Sequence, residues 1–159
     1  MSSFDRRTFL ILGAAALAGC GFAPVYGPGG SAEKLRGSVA VVGPADRDDF
    51  LFGAELEQRL GQPVAQRYTL NYGLSYTTED VGISTAAAVT RYNLIGTADY
   101  VLTDDASGAV LASGQVDGFV GYSATTGSEP FAAAQEDARR RMGVILADKL
   151  VTRLSLLNL

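Results

Sequence analysis

The chain contains no histidine and a single cysteine. Histidine is the side chain most often used as a general base near neutral pH, and it is also the commonest metal ligand. One cysteine cannot close a disulfide within the chain. Charge is sparse too: 19% of residues are charged against 47% apolar, a globular balance rather than a disordered one. The net charge of −4 argues against a nucleic-acid partner held by bulk electrostatics. The paired acids, Asp48-Asp49, Glu79-Asp80 and Asp104-Asp105, fall at a helix start or at turns, where carboxylates serve the local backbone. No spacing sets up carboxylate or Ser-Lys catalysis. The composition points to a protein that is not an enzyme and carries no metal and no cofactor.

What is present begins with Cys20. It closes the run Leu17-Ala18-Gly19-Cys20 after Arg6-Arg7 and an apolar segment from Phe9 to Ala18. A charged start, an apolar middle of about 7–15 residues and small residues before the cut describe a secretory signal. The segment is too short to cross a bilayer, which takes roughly 20 residues. A cysteine directly after Leu-Ala-Gly resembles a bacterial lipoprotein signal, which implies removal of residues 1–19 and acylation of Cys20. That step would also occupy the only thiol. The mature chain would then be 140 residues, one domain by length. It loses two of the 13 basic and one of the 17 acidic groups, for a net charge of −5. Several acyl chains on one cysteine make a lasting membrane anchor where one chain does not. Gly21 stands where the sorting pattern for inner-membrane retention has Asp, so the resemblance implies the outer membrane. Asp5-Arg6-Arg7-Thr8-Phe9-Leu10 also resembles a twin-arginine signal, and both export routes stay open.

The mature chain divides by pattern. Residues 20–37 carry Pro24, Gly27, Pro28, Gly29, Gly30 and Ser31, the composition of a flexible tether. Residues 38–159 form the domain. Ser38–Val42 reads as a short strand, and Asp46 caps a helix with Phe52, Leu56 and Leu60 on one stripe, ended by Gly61 and Pro63. Tyr68–Thr78 alternates: Tyr68, Leu70, Tyr72, Leu74 and Tyr76 face one way, Thr69, Asn71, Gly73, Ser75 and Thr77 the other. Asp80-Val81-Gly82 is the expected turn. Ser84–Val89 fits either strand or loop. Thr90–Thr103 alternates again, with Arg91, Asn93, Thr97 and Asp99 outward. Asp104–Gly108 is the expected hairpin loop, and Ala109–Tyr122 the fourth strand. Ser128 opens a long helix to about Leu157, with Phe131, Ala138, Met142, Ile145, Leu146, Leu150, Leu154 and Leu157 on its core arc. Val144, Ala147 and Val151 form a second apolar stripe, a candidate partner contact. The order predicts an α+β fold: a two-layer sandwich with a four-stranded, mostly antiparallel sheet and two helices on one face.

Cys20-Gly21-Phe22-Ala23-Pro24-Val25-Tyr26-Gly27 resembles the mature start of LPS-assembly lipoproteins of the LptE family. The run Arg91-Tyr92-x-Leu94-x-Gly96-x-Ala98-x-Tyr100-x-Leu102, its turn, the next strand and the long last helix are similar to that family as well. The resemblance implies a non-enzymatic outer-membrane lipoprotein, lipid-anchored and facing the periplasm. It would plug an LptD-type β-barrel and assist it in inserting lipopolysaccharide into the outer leaflet. A barrel lumen is polar, and the outward Thr69, Asn71, Ser75, Asn93 and Thr97 are small groups able to bond such a wall without burying charge. These five are the expected partner-facing residues. Arg91 and Arg140 are the expected counterparts of family LPS contacts through phosphate.

A second reading is a periplasmic auxiliary lipoprotein of an ABC-type lipid-transport system, which would need an apolar cavity between helices and sheet. A third, an enzyme acting on cell-wall polymers, is set back by the missing histidine. Whichever holds, Cys20→Ala should abolish labelling by radioactive palmitate and leave the signal uncleaved. Label entering the variant at the native level contradicts the lipoprotein reading.

Overall fold

The computed structural model describes residues 30–43, 46–83, 89–123 and 128–157. The elements run α1 (Ser31–Leu35), β1 (Val39–Val42), α2 (Arg47–Leu60), β2 (Tyr68–Ile83), β3 (Val89–Asp104), β4 (Val110–Ser123) and α3 (Ser128–Ser155). The strands form one open sheet in the order β1-β2-β3-β4. β1 runs parallel to β2, and the other two pairings are antiparallel, so the sheet is mixed. A parallel pair needs a crossover, and α2 supplies it.

The alternation of β2 and β3 decides which face the helices cover. Tyr68, Leu70, Tyr72, Leu94, Ala98, Tyr100 and Leu102 are buried beneath α2 and α3, while Asn71, Ser75, Thr77 and Asp99 are exposed. β4 adds Val116, Val120 and Tyr122 to the core, and α3 adds Ala138, Met142, Leu146, Leu150 and Leu154. α2 begins with the Asp46 carboxylate accepting from Asp49 N–H at 2.9 Å and stops at Gly61, whose φ of 77° suits glycine. That N–H bond holds the Asp46 carboxyl below its usual range, while burial pushes the neighbouring Asp49 carboxyl up. Asp104 closes the β3–β4 turn by accepting from Ala106 N–H, Ser107 N–H and Ser107 Oγ at 2.9–3.0 Å, with Gly108 at φ 70°.

Two tyrosines pin α2 and α3 to β2. Tyr72 Oη donates to the Asp49 carbonyl at 2.7 Å, and its ring meets Phe52 edge-on at 4.9 Å. The Arg139 guanidinium lies 5.8 Å from the Tyr76 ring centroid while Nη1 reaches Asp48 at 2.9 Å. The apolar arc of α3 therefore accepts Arg139 because carboxylate and ring both receive it. Arg47–Glu136 and Arg59–Asp148, each at 2.6 Å, add two more ties between α2 and α3. Such exposed pairs contribute about 0–1 kcal/mol each, so they set helix register more than stability.

Two glycines let α3 come close to the sheet. Gly96 and Gly118 are directly opposed on β3 and β4. A Cβ on Gly96 would stand 2.6 Å from Met142 Cγ, and one on Gly118 3.3 Å from Met142 Sδ. The bare backbone at this pair is the hollow into which Met142 fits.

Three expectations need correction. Residues 31–37 belong to the folded body and not to a tether: α1 forms there, Leu35 is 1% exposed, and Gly37 N–H donates to the Leu60 carbonyl at 2.7 Å. Gly and Ser in the preceding residues hid one apolar side chain that the core takes up. Asp80-Val81-Gly82 is not the turn; β2 continues through it to Ile83, and register shifts at Gly82 absorb the irregularity. Residues 84–88 and the N-cap region before Ser128 lie outside the described residues, although Val89 already pairs with Ile83 in β3. The second stripe on α3 is not free either: Ala147 and Val151 are buried in the core. They continue the line of the buried Gly143 at i+4 spacing, the side of α3 that meets α2.

Gly96→Ala should lower stability by about 1–3 kcal/mol, as overpacking does. In a Met142→Ala background the same change should cost clearly less, a coupling of at least about 0.5 kcal/mol. Urea unfolding measures both, and an unchanged midpoint for Gly96→Ala contradicts the packing described. Burial, with Asp49 next, pushes the Tyr72 hydroxyl up to about 12, and burial with Asp48 does the same for Tyr76. Unfolded, both release their protons near 10, so stability should fall as pH rises from about 10 to 12. Phenolate absorbance of the folded protein should lose late-titrating signal in Tyr72→Phe and in Tyr76→Phe; a titration unchanged by either substitution would refute this.

Candidate functional site

With α2 and α3 on one side, the sheet's other side has no covering layer among the described residues, and strand register lays its side chains out in rows. Ser75 on β2 stands opposite Thr97 on β3, which stands opposite Asp117 on β4. The neighbouring rows are Gly73–Asp99–Gln115, Asn71–Val101–Ser113, Thr77–Ile95–Phe119 and Glu79–Asn93–Gly121. Gln115 Nε2 donates to Asp99 Oδ1 at 2.8 Å across one row. Hydroxyls and amides dominate these rows, and the charges are three carboxylates and no lysine.

The five expected partner-facing residues all lie on this side, but they do not form one continuous patch. Ser75 and Thr97 stand opposite each other across strands at its centre. Asn93 sits toward the β2–β3 tip, beside Glu79. Asn71 is separated from Ser75 by Gly73. Thr69 lies at the opposite end, where its hydroxyl bonds Asp105 Oδ1 at 2.7 Å, so it braces a turn. Sequence reading passed over Phe119, 71% exposed in the middle of β4 and directly opposite Ile95. The alternation of β4 places Phe119 outward with Asp117 and Gln115; three glycines in that strand blurred the period. The open side is therefore polar with one aromatic island.

Arg91 and Arg140 are not brought together. Arg91 is exposed near the far end of β3 and edges a cleft of about 620 Å³ that is also lined by Asn93, Tyr122, Asp137 and Arg141. Within that cleft Tyr92 and Tyr122 stack at 5.2 Å, and the buried Tyr122 Oη has no hydrogen-bond partner. Arg140 lies on the helix layer, beside the junction of α2 and α3, with Asp137 at 2.9 Å. Arg141 shares the same carboxylate at 2.9 Å, and both guanidinium groups hold the Asp137 carboxyl low. The cation that lines the same cleft as Arg91 is Arg141, a neighbour that chain position alone could not select.

Among the described residues no three carboxylate, thiol or imidazole groups gather as a metal cage, and no helix is long and apolar enough to cross a membrane. The layers close against each other: Leu70, Leu94, Leu102, Leu146 and Leu150 are fully buried. The pocket under the helix pair, beside Tyr76 and Gly143, holds about 120 Å³, well short of the roughly 300–1,000 Å³ of ligand cavities.

The architecture is shared with known lipoproteins. A candidate lipoprotein from Caulobacter crescentus CB15 is 24% identical, with 79% of this chain and 92% of that one aligned at a TM-score of 0.62. The rare lipoprotein B of Shewanella oneidensis aligns over 74% and 93% at 12% identity and a TM-score of 0.55. A minor lipoprotein of Acinetobacter baumannii aligns over 74% and 90% at 18% identity and a TM-score of 0.54. At these identities the likeness establishes a common fold. No curated protein matches the chain in sequence. The family model LptE, lipopolysaccharide-assembly, matches residues 36–154, which is the whole sandwich from the end of α1 through nearly all of α3. The chain belongs to the LptE family of lipopolysaccharide-assembly lipoproteins.

Proposed function

We propose that the mature protein, acylated at Cys20, is held on the periplasmic side of the outer membrane. There it seats its open sheet side against the lumen wall of an LptD-type β-barrel and assists that barrel in inserting lipopolysaccharide. Family membership over residues 36–154 carries the proposal, and the open rows support it. A lumen wall is polar. Ser75, Thr97, Asn71 and Asn93 offer it donors and acceptors without burying unpaired charge, and Phe119 offers one apolar anchor. Thr69 contributes at the margin. The protein is a binding and assembly factor and not an enzyme. Arg91, which lines one cleft with Arg141, is the group placed to meet lipopolysaccharide phosphate, with Arg140 serving the helix surface. A lipid carrier would hold acyl chains between helices and sheet, where the pocket beside Tyr76 and Gly143 is only about 120 Å³ and the larger cleft by Tyr122 is rimmed by Arg91, Asp137 and Arg141, so the assembly reading is preferred.

Purification of the full lipoprotein from detergent-solubilised outer membranes should recover a large β-barrel in near-equal amount. Ser75→Arg combined with Asn71→Arg, two exposed positions four residues apart on β2, should reduce that recovery by about tenfold or more, while unfolding shifts by no more than about 0.5 kcal/mol, as exposed substitutions do. Absence of any barrel from the native preparation overturns the proposal.

A further inference from the structure

The two edges of the sheet are not alike. β1 offers only Val39–Val42, and Gly43-Pro44 follows it in sequence. β4 runs for 14 residues without a proline and pairs only with β3 among the described residues. The Asp117 carbonyl accepts from Lys149 Nζ at 2.6 Å, so it points away from β3. In an antiparallel strand the N–H and C=O of one residue point the same way, and the direction alternates along the chain. Ser113, Gln115, Asp117, Phe119 and Gly121 therefore aim their backbone groups at the free edge. No backbone bond outside the ladder takes them up among the described residues. A long edge of this kind is a template for a further strand, and lysine is a common guard. Here one lysine covers one carbonyl.

Beside the edge, β4 and α3 enclose a groove of about 380 Å³. Its walls include Val116, Lys149, Thr152, Arg153 and Leu156, the last of them 67% exposed. Asp148 on the same wall is paired with Arg59 at 2.6 Å. No carboxylate lies within ion-pair distance of Lys149 or Arg153 among the described residues. A strand laid along β4 would turn alternate side chains into this groove and the others onto the open side, extending the Ser75–Thr97–Asp117 row. The two unpaired cations call for a carboxylate on the groove side, and Leu156 for an aliphatic neighbour. A second copy pairing its own β4 about a two-fold axis would present Ala112, Val116 and Val120 there, three uncharged positions of which two already lie in its own core.

We propose that the free edge of β4 takes up an extended segment of the partner that meets the open side. Main-chain hydrogen bonds hold the segment as an added strand, and an acidic side chain on it meets Lys149 and Arg153. Lys149 gives up the Asp117 carbonyl as the segment seats. The inference rests on the open side being the interface with the barrel protein, and it adds the edge and the chemistry of the segment.

Gln115→Pro removes an edge N–H and no ladder bond, and the preceding Gly114 has no Cβ to meet the proline ring. Gln115→Ala is the reference, because both variants lose the side-chain bond to Asp99. From detergent-solubilised outer membranes the full lipoprotein with Gln115→Pro should recover at least about fivefold less β-barrel than Gln115→Ala, and Arg153→Glu at least about threefold less than the native protein. A second measurement needs no variant. Residue-resolved amide exchange at Gln115, Asp117 and Phe119 should be at least about tenfold slower in the native complex than in the isolated lipoprotein. Unchanged exchange at those amides in a complex that contains the barrel overturns the strand addition and leaves the open-side reading intact. Native-level recovery with Arg153→Glu overturns the acidic segment. A native preparation without a barrel overturns both readings.

Discussion

A two-stranded ribbon of sixteen-residue strands has two faces, and this chain makes one of them an almost unbroken apolar row and the other mostly hydroxyls, amides and carboxylates, with Val101 and Ile95 among them. That asymmetry governs the rest of the molecule. Tyr68, Leu70, Leu94 and Leu102 require a roof, which α2 and α3 provide, and the hydroxyl and amide rows on the reverse require none. β1 and β4 extend the sheet on either side without changing the division. The ion pairs between α2 and α3 hold the roof in register, and the Gly96–Gly118 hollow fixes where α3 crosses. A charge or a large side chain facing inward at these positions would undo the arrangement more readily than any change on the outer rows.

Function follows from what the asymmetry leaves uncovered. A surface of Thr, Ser, Asn and Gln with few charges is poorly suited to gripping an oily partner and equally poor at repelling a polar one. Its suitability is for a wall that offers hydrogen bonds in return. Membership of the LptE family bears on the same reading, in which the proposed role of the protein is to fit a partner.

Much of this could be read from residue order. Period-2 runs at Tyr68–Thr78 and Thr90–Thr103, the Asp46 cap, the Gly61 stop and the Asp104–Gly108 loop each depend on neighbouring residues, and each took the form expected. Features that depend on distant residues were harder. Leu35 is one apolar side chain in a Gly- and Ser-rich stretch, and only the core it enters makes α1 fold. Val144, Ala147 and Val151 look like a spare stripe until α2 is laid beside α3. Asp80-Val81-Gly82 has turn composition, yet the β3 partner strand carries it through as a bulge. At the candidate site, Ser75 and Thr97 were legible as outward residues, but their direct opposition depends on strand register. The separation of Arg91 from Arg140, and the position of Phe119 among polar neighbours, required three dimensions.

The account stands on the uncovered side of the sheet being the side that meets the barrel. Photo-crosslinking in living cells tests this most directly, with a photoreactive residue placed in turn at Ser75 and Asn93 on the open side and at Ala133 and Arg140 on the helix side. The account predicts adducts with a large outer-membrane β-barrel from positions 75 and 93 and few or none from 133 and 140. Adducts arising only from the helix positions would contradict it.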